Sequence, residues 1–112
     1  MAASLEWQFM ATATFLALSK FKVRNAMVAD VRDAFLRRPH LVDEADGFVR
    51  MDVVSPAHDE AEFWLLTFWR DEASFRQWHH SHLYRESHAG IPPGLKLVPE
   101  ATELLTFQYI TD

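Results

Sequence analysis

The residues best equipped for chemistry crowd into one stretch, where Trp78, Ser81 and Arg85 are interleaved with His79, His80, His82 and His88. Imidazole titrates near neutral pH and binds metals through a neutral ring nitrogen, so each histidine is a candidate ligand, acid or base. No cysteine is present, which removes disulfides, thiolate nucleophiles and Cys-ligated metal sites together. On one helix counted from Trp78, His82 falls about 40° round, Arg85 about 340°, Ser81 about 300° and His88 about 280°. These share one broad side. Trp78 and His88 would stand about 15 Å apart along the axis, a span suited to a large flat ligand.

Each candidate has a plainer alternative. An imidazole near a helix C-terminus is favoured by the helix dipole and needs no further role. His79 and His80 point about 100° apart and lack a carboxylate at ligand spacing, so rim and surface positions account for them better than a discrete metal site. His82 lies beside Trp78 and is a candidate second axial ligand or pocket acid/base. Phe75, Trp78 and His82 follow the i, i+3, i+7 stripe of a buried face, so Trp78 reads both as core and as pocket lining. Arg85 suits an acidic ligand group or a solvated ion pair. Far away in sequence, Ser19 is a lone hydroxyl among Phe15, Ala17 and Phe21; it marks a cavity or a local backbone bond. Trp64 and Trp69 both read as packing residues, and Trp69, at a strand end, is in addition a candidate lining residue.

The elements that position these residues follow from periodicity. Residues 12–23 alternate as a strand, with Phe15, Ala17, Ser19, Phe21 and Val23 on one face and Thr14, Leu16, Leu18, Lys20 and Lys22 on the other. Asn25 is the expected cap of a helix carrying Val28, Val31 and Phe35, which Pro39 stops. A polar connection over 40–46 leads to a second strand, Phe48–Val54, and a turn over 55–60. The third strand, 63–69, is apolar on both faces and should be central or doubly covered. Asp71 caps a second helix expected to run to about His88, and Gly90 and Pro92-Pro93-Gly94 end it. A last strand spans 103–111.

The order βαββαβ predicts an α+β, ferredoxin-like domain over 12–112 after a short extension over 1–11, with a four-stranded antiparallel sheet and both helices on one face. Strands apolar on both faces leave the other face needing cover, and a homodimer supplies it.

Composition narrows the function. The net charge is −5 with scattered Lys and Arg, against a nucleic-acid binder, which needs a basic stripe. No run reaches the length of a membrane span, and the N-terminal residues lack a basic-then-apolar signal pattern. A cytoplasmic location is the default expectation.

The run Leu65-Leu66-Thr67-Phe68-Trp69-Arg70-Asp71-Glu72-Ala73-Ser74-Phe75-Arg76-Gln77-Trp78, followed by Ser81 and His88, resembles the antibiotic biosynthesis monooxygenase superfamily. There a strand ending in Trp runs into a helix bearing Phe, Trp, Ser and a late His. Gly47-Phe48 and Phe21-Lys22-Val23 extend the likeness over residues 14–110, and the spacing from Trp78 to His88 is similar to the IsdG-type haem-degrading monooxygenases. The resemblance implies a dimeric α/β barrel in which His88 ligates haem iron and Trp78 presses on the porphyrin; by their places on the helix, Arg85 and His82 are candidate neighbours of such a cofactor. Ser19 stands where the haem degraders carry a distal Asn, offering one hydroxyl in place of an amide. Other members oxidise aromatic polyketides or quinols without a cofactor, and Trp69 matches a pocket position in them. A dimer that only binds a small hydrophobic or aromatic ligand is the non-enzymatic alternative.

Overall fold

The computed structural model describes residues 13–38, 41–81 and 91–111. Four strands, β1 (Phe15–Lys22), β2 (Phe48–Val54), β3 (Glu62–Trp69) and β4 (Glu103–Gln108), form one antiparallel sheet in the order β2-β3-β1-β4, with helices α1 (Val28–Leu36) and α2 (Glu72–His79) inserted after β1 and β3. This is the expected ferredoxin-like βαββαβ fold. It places β3 and β1 in the middle, which explains why β3 is apolar on both faces.

Register sorts the side chains into cross-strand rows. On the helix side the rows are Phe48–Trp69–Phe15–Gln108, Met51–Thr67–Ala17–Thr106 and Val53–Leu65–Ser19–Leu104. On the other side they are Arg50–Phe68–Leu16–Phe107, Asp52–Leu66–Leu18–Leu105 and Val54–Trp64–Lys20–Glu103. The helix side carries two separate cores. One joins Phe15, Ala17, Val42, Trp69 and Phe75, with Trp78 against it; the other joins Val23, Val31 and Phe63, with Phe21, Phe35 and Leu65 against it.

Among the described residues no helix faces the second side, yet it is strongly apolar, and Leu18 and Phe68 on it are buried. Its charges are paired within the chain: Arg50 with Asp52 at 2.8 Å and Lys20 with Glu103 at 3.2 Å. The same cations cover aromatic rings, Lys20 Nζ lying 4.6 Å from the centroid of Trp64 and Arg50 Cζ 4.7 Å from that of Phe68.

Several local expectations are corrected. Asn25 does not cap α1: Met27 holds the cap position without a side-chain bond, and the Asn25 amide donates instead to the Gly94 carbonyl at 2.9 Å. A long-range partner thereby outcompetes the local cap. The connection before β2 holds a 3-10 turn, Leu41–Glu44, that buries Val42 in the first core. Helix α2 closes at His79, with the His80 N–H donating to the Arg76 carbonyl and the Ser81 N–H to that of Trp78. The regular helical count from Trp78 to His88 therefore does not hold through Ser81. β4 ends at Gln108 and not at Thr111. Asp71, by contrast, caps α2 as expected, its carboxylate accepting from the Ser74 N–H at 2.8 Å.

Candidate functional site: a gap between two cores

Helix-side residues of the central strands are mostly closed off: Phe15, Ala17, Phe63 and Trp69 are each 3% exposed or less, and Thr67 is buried. Ser19 is the exception, exposed although β1 has a strand on either side. An exposed residue on the covered face of a central strand marks an opening in the cover. Its position explains why: Ala17 belongs to the core under α2 and Phe21 to the core beside α1, and Ser19 lies between them.

The gap continues toward the sheet edge over Leu104 and Thr106 of β4, both exposed. Leu65 borders it on the β3 side. This floor, Ser19, Leu65, Leu104 and Thr106, carries hydroxyl and apolar groups and no ionisable side chain. Neither the Ser19 nor the Thr106 hydroxyl has a hydrogen-bond partner among the described residues, whereas Thr67, one row away, donates to the Ala17 carbonyl at 3.4 Å and accepts from Trp69 Nε1 at 2.8 Å.

The wall on one side is aromatic. Trp78 is half-buried with its ring 5.8 Å from that of Trp69, which also meets Phe75 at 5.7 Å and Phe48 at 5.6 Å in edge-on contacts. Trp69 is fully enclosed, as the packing reading expects and the lining reading does not, and Trp78 leans against it.

The junction that aims α2, and with it Trp78, is polar. The Arg70 guanidinium reaches Asp46 at 3.3 Å, Asp71 at 3.4 Å and the Ser74 hydroxyl at 3.2 Å, while its backbone N–H donates to the Gly47 carbonyl at 2.7 Å. Asp46, then Asp71, raise the Arg70 pKa above its ordinary value. The Ser74 hydroxyl first, then the Ser74 backbone N–H and the Arg70 guanidinium, hold the Asp71 carboxyl below its ordinary value. Gly47 adopts φ +80° and lies so close to the Ser74 side chain that a Cβ there would collide with it. Only glycine meets both demands.

Of the expected site residues, the structure describes Ser19, exposed on β1, and Trp78, packed against the first core. His82, Arg85 and His88 lie outside the described residues. Thr106 was not singled out from the sequence; its signal was the register that sets it diagonal to Ser19. Among the described residues no cluster of three or more His, Asp or Glu side chains is placed to hold a metal ion. A separate groove of about 310 Å³, lined by Arg32, Phe35, Leu36, Val53 and Phe63, lies at the opposite, β2 edge of the sheet.

A ferredoxin-like sheet with its helices on one face defines a small α+β domain. The profile of the antibiotic biosynthesis monooxygenase family matches residues 14–90, and the chain belongs to that family. Similar folds include the haem degrader MhuD from Mycobacterium tuberculosis, solved with two haems in its active site, at 20% identity and TM-score 0.70 over 88% of this chain and 97% of that one. SnoaB, a cofactor-independent oxygenase from Streptomyces nogalater, matches at 17% identity and TM-score 0.70 over 89% and 96%. A conserved protein from Methanosarcina mazei matches at 16% and TM-score 0.67 over 90% and 97%. No curated protein sequence matches the chain. No helix among the described residues is long and apolar enough to cross a membrane.

Proposed function

We propose that the protein is a haem-binding monooxygenase that holds its cofactor in the gap above Ser19. The observation that carries the reading is the opening between two aromatic cores on a floor without an ionisable group. Such a floor can seat a flat apolar face but supplies neither acid, base nor electrons, so the chemistry must come from what binds there or from other residues of the chain. The half-buried Trp78 and the uncharged floor suit the faces of a porphyrin. His88 is the proposed iron ligand, Arg85 the partner of a propionate, His82 a neighbour of the cofactor, and Ser19 the hydroxyl on the oxygen side. Haem would supply oxygen activation, and the chain would orient it and exclude water. Titrating the protein with hemin tests this: a Soret shift lost in His88→Ala supports it, and no shift, or the same shift in the variant, overturns it.

A second reading is favoured by the exposed Ser19 hydroxyl on an apolar floor, which suits the oxygen of a phenol or quinol: a cofactor-independent oxygenase acting on such an electron-rich aromatic. It predicts oxygen uptake with anthrones or quinols and no added metal.

The functional unit in both readings is a homodimer joined through the helix-free side of the sheet. On this side Phe107 is exposed and Leu16, Leu66 and Leu105 are half-buried, while Phe68 and Leu18 are already buried within the chain, and the internally neutralised charges let two copies meet without repulsion. Light scattering should give a dimer at micromolar concentration, and Leu66→Asp a monomer. A stable wild-type monomer contradicts the assembly.

A further inference from the structure

The groove of about 310 Å³ at the β2 edge lies between the C-terminal half of α1 and the end of β2, and it is large enough for a small molecule. Phe35 and Phe63 line it with their rings 5.7 Å apart, and both also meet Phe21 of β1, at 6.1 and 5.4 Å. Phe21 flanks Ser19 on that strand, so the second core stands between the groove and the gap and keeps them separate places. Where the groove opens to water, Leu36 is 76% exposed and Val54 45%.

One side chain of the lining is ionisable, and its charge is unspent. Arg32 is exposed and makes neither an ion pair nor a hydrogen bond among the described residues. Its helical neighbours three and four positions away are Val28, Ala29, Phe35 and Leu36, so α1 offers it no carboxylate; Asp30 and Asp33, two before and one after, point elsewhere round the helix. From β2 the lining residues are Val53 and Val54, followed by Ser55, none of them charged. A guanidinium presents a planar fork that matches the two oxygens of a carboxylate, and the apolar lining beside it accepts a hydrocarbon. With no second cation in the lining, a single negative charge is the complement.

We propose that this groove is a second ligand site, distinct from the gap above Ser19, for monocarboxylates with a medium-length hydrocarbon tail. The carboxylate pairs with Arg32, and the tail lies over Phe35, Phe63 and Val53. The site stands whether or not the gap holds haem.

The test is titration of the full chain with octanoate and with octan-1-ol, which share a tail and differ in charge, followed by methyl NMR at Leu36, Val53 and Val54. Octanoate should shift these methyls saturably at millimolar concentration and bind about fivefold more tightly than the alcohol, as expected for one partly exposed charge pair. Arg32→Gln, a change at an exposed position, should abolish that preference and leave the alcohol unchanged. No saturable shift, equal binding of acid and alcohol, a preference that survives Arg32→Gln, or shifts confined to Leu104 beside the gap overturns the site. The same shifts on concentrating the protein alone would assign the groove to a second copy of the chain and overturn it as well.

Discussion

Thr67 and Ser19 are both hydroxyl residues on the helix side of the two central strands, one row apart, and they do opposite things. Thr67 is buried, holds the Ala17 carbonyl, and accepts the indole N–H of a completely enclosed Trp69. Ser19 is exposed and holds nothing among the described residues. A buried hydroxyl with both capacities used is a staple, because leaving such groups unmade is costly. A free hydroxyl in an opening between two cores is available to a ligand. The difference teaches that sheet position alone does not make a site; the site begins where the cover parts.

The staple side should therefore fail as folding and the open side as binding. The largest effect expected is from Trp69→Ala, which empties the centre of the first core and should cost about 3–5 kcal/mol in urea unfolding. Thr67→Val strands the Trp69 N–H and should cost about 1–3 kcal/mol; a near-neutral result would erase the contrast with Ser19. Gly47→Ala forces a left-handed backbone onto an L-residue, about 1–2 kcal/mol, and drives its methyl into Ser74. Its melting temperature should fall, and Ser74→Ala should relieve part of the loss.

The Asp71 cap gives a smaller, pH-dependent effect. Its carboxyl is held below the ordinary value in the folded state, so its stabilisation is fully present above the unfolded value of about 4 and is lost as pH falls through the folded one. Asp71→Ala should melt lower than wild type at neutral pH and converge with it in acid. A gap between the two that persists in acid would mean that something other than the charged cap is lost. Smallest of all should be the effect of Ser19→Ala on stability, within about 0.5 kcal/mol.

Strand periodicity located all four strands and the inward face of β1, because sheet alternation is set by local geometry. The same alternation flagged Ser19 as the odd residue on its face. What alternation cannot reveal is pairing, so Thr106 emerged only when register set it diagonal to Ser19. Asn25 misled for a related reason: its amide serves Gly94, far along the chain, and no local pattern encodes that partner. The helical wheel from Trp78 presumed a continuous helix, but the chain turns at His80 and Ser81, where the last N–H groups tighten onto Arg76 and Trp78.

The central claim is that the opening above Ser19 holds the ligand, and filling it tests that claim most directly. Ser19→Leu places an apolar side chain between two apolar cores, so the protein should keep its circular dichroism spectrum and melt no lower than wild type. Titration of this variant with hemin should then lack the Soret shift given by wild type. A folded Ser19→Leu protein that binds its ligand as tightly as wild type would put the site elsewhere and contradict the account.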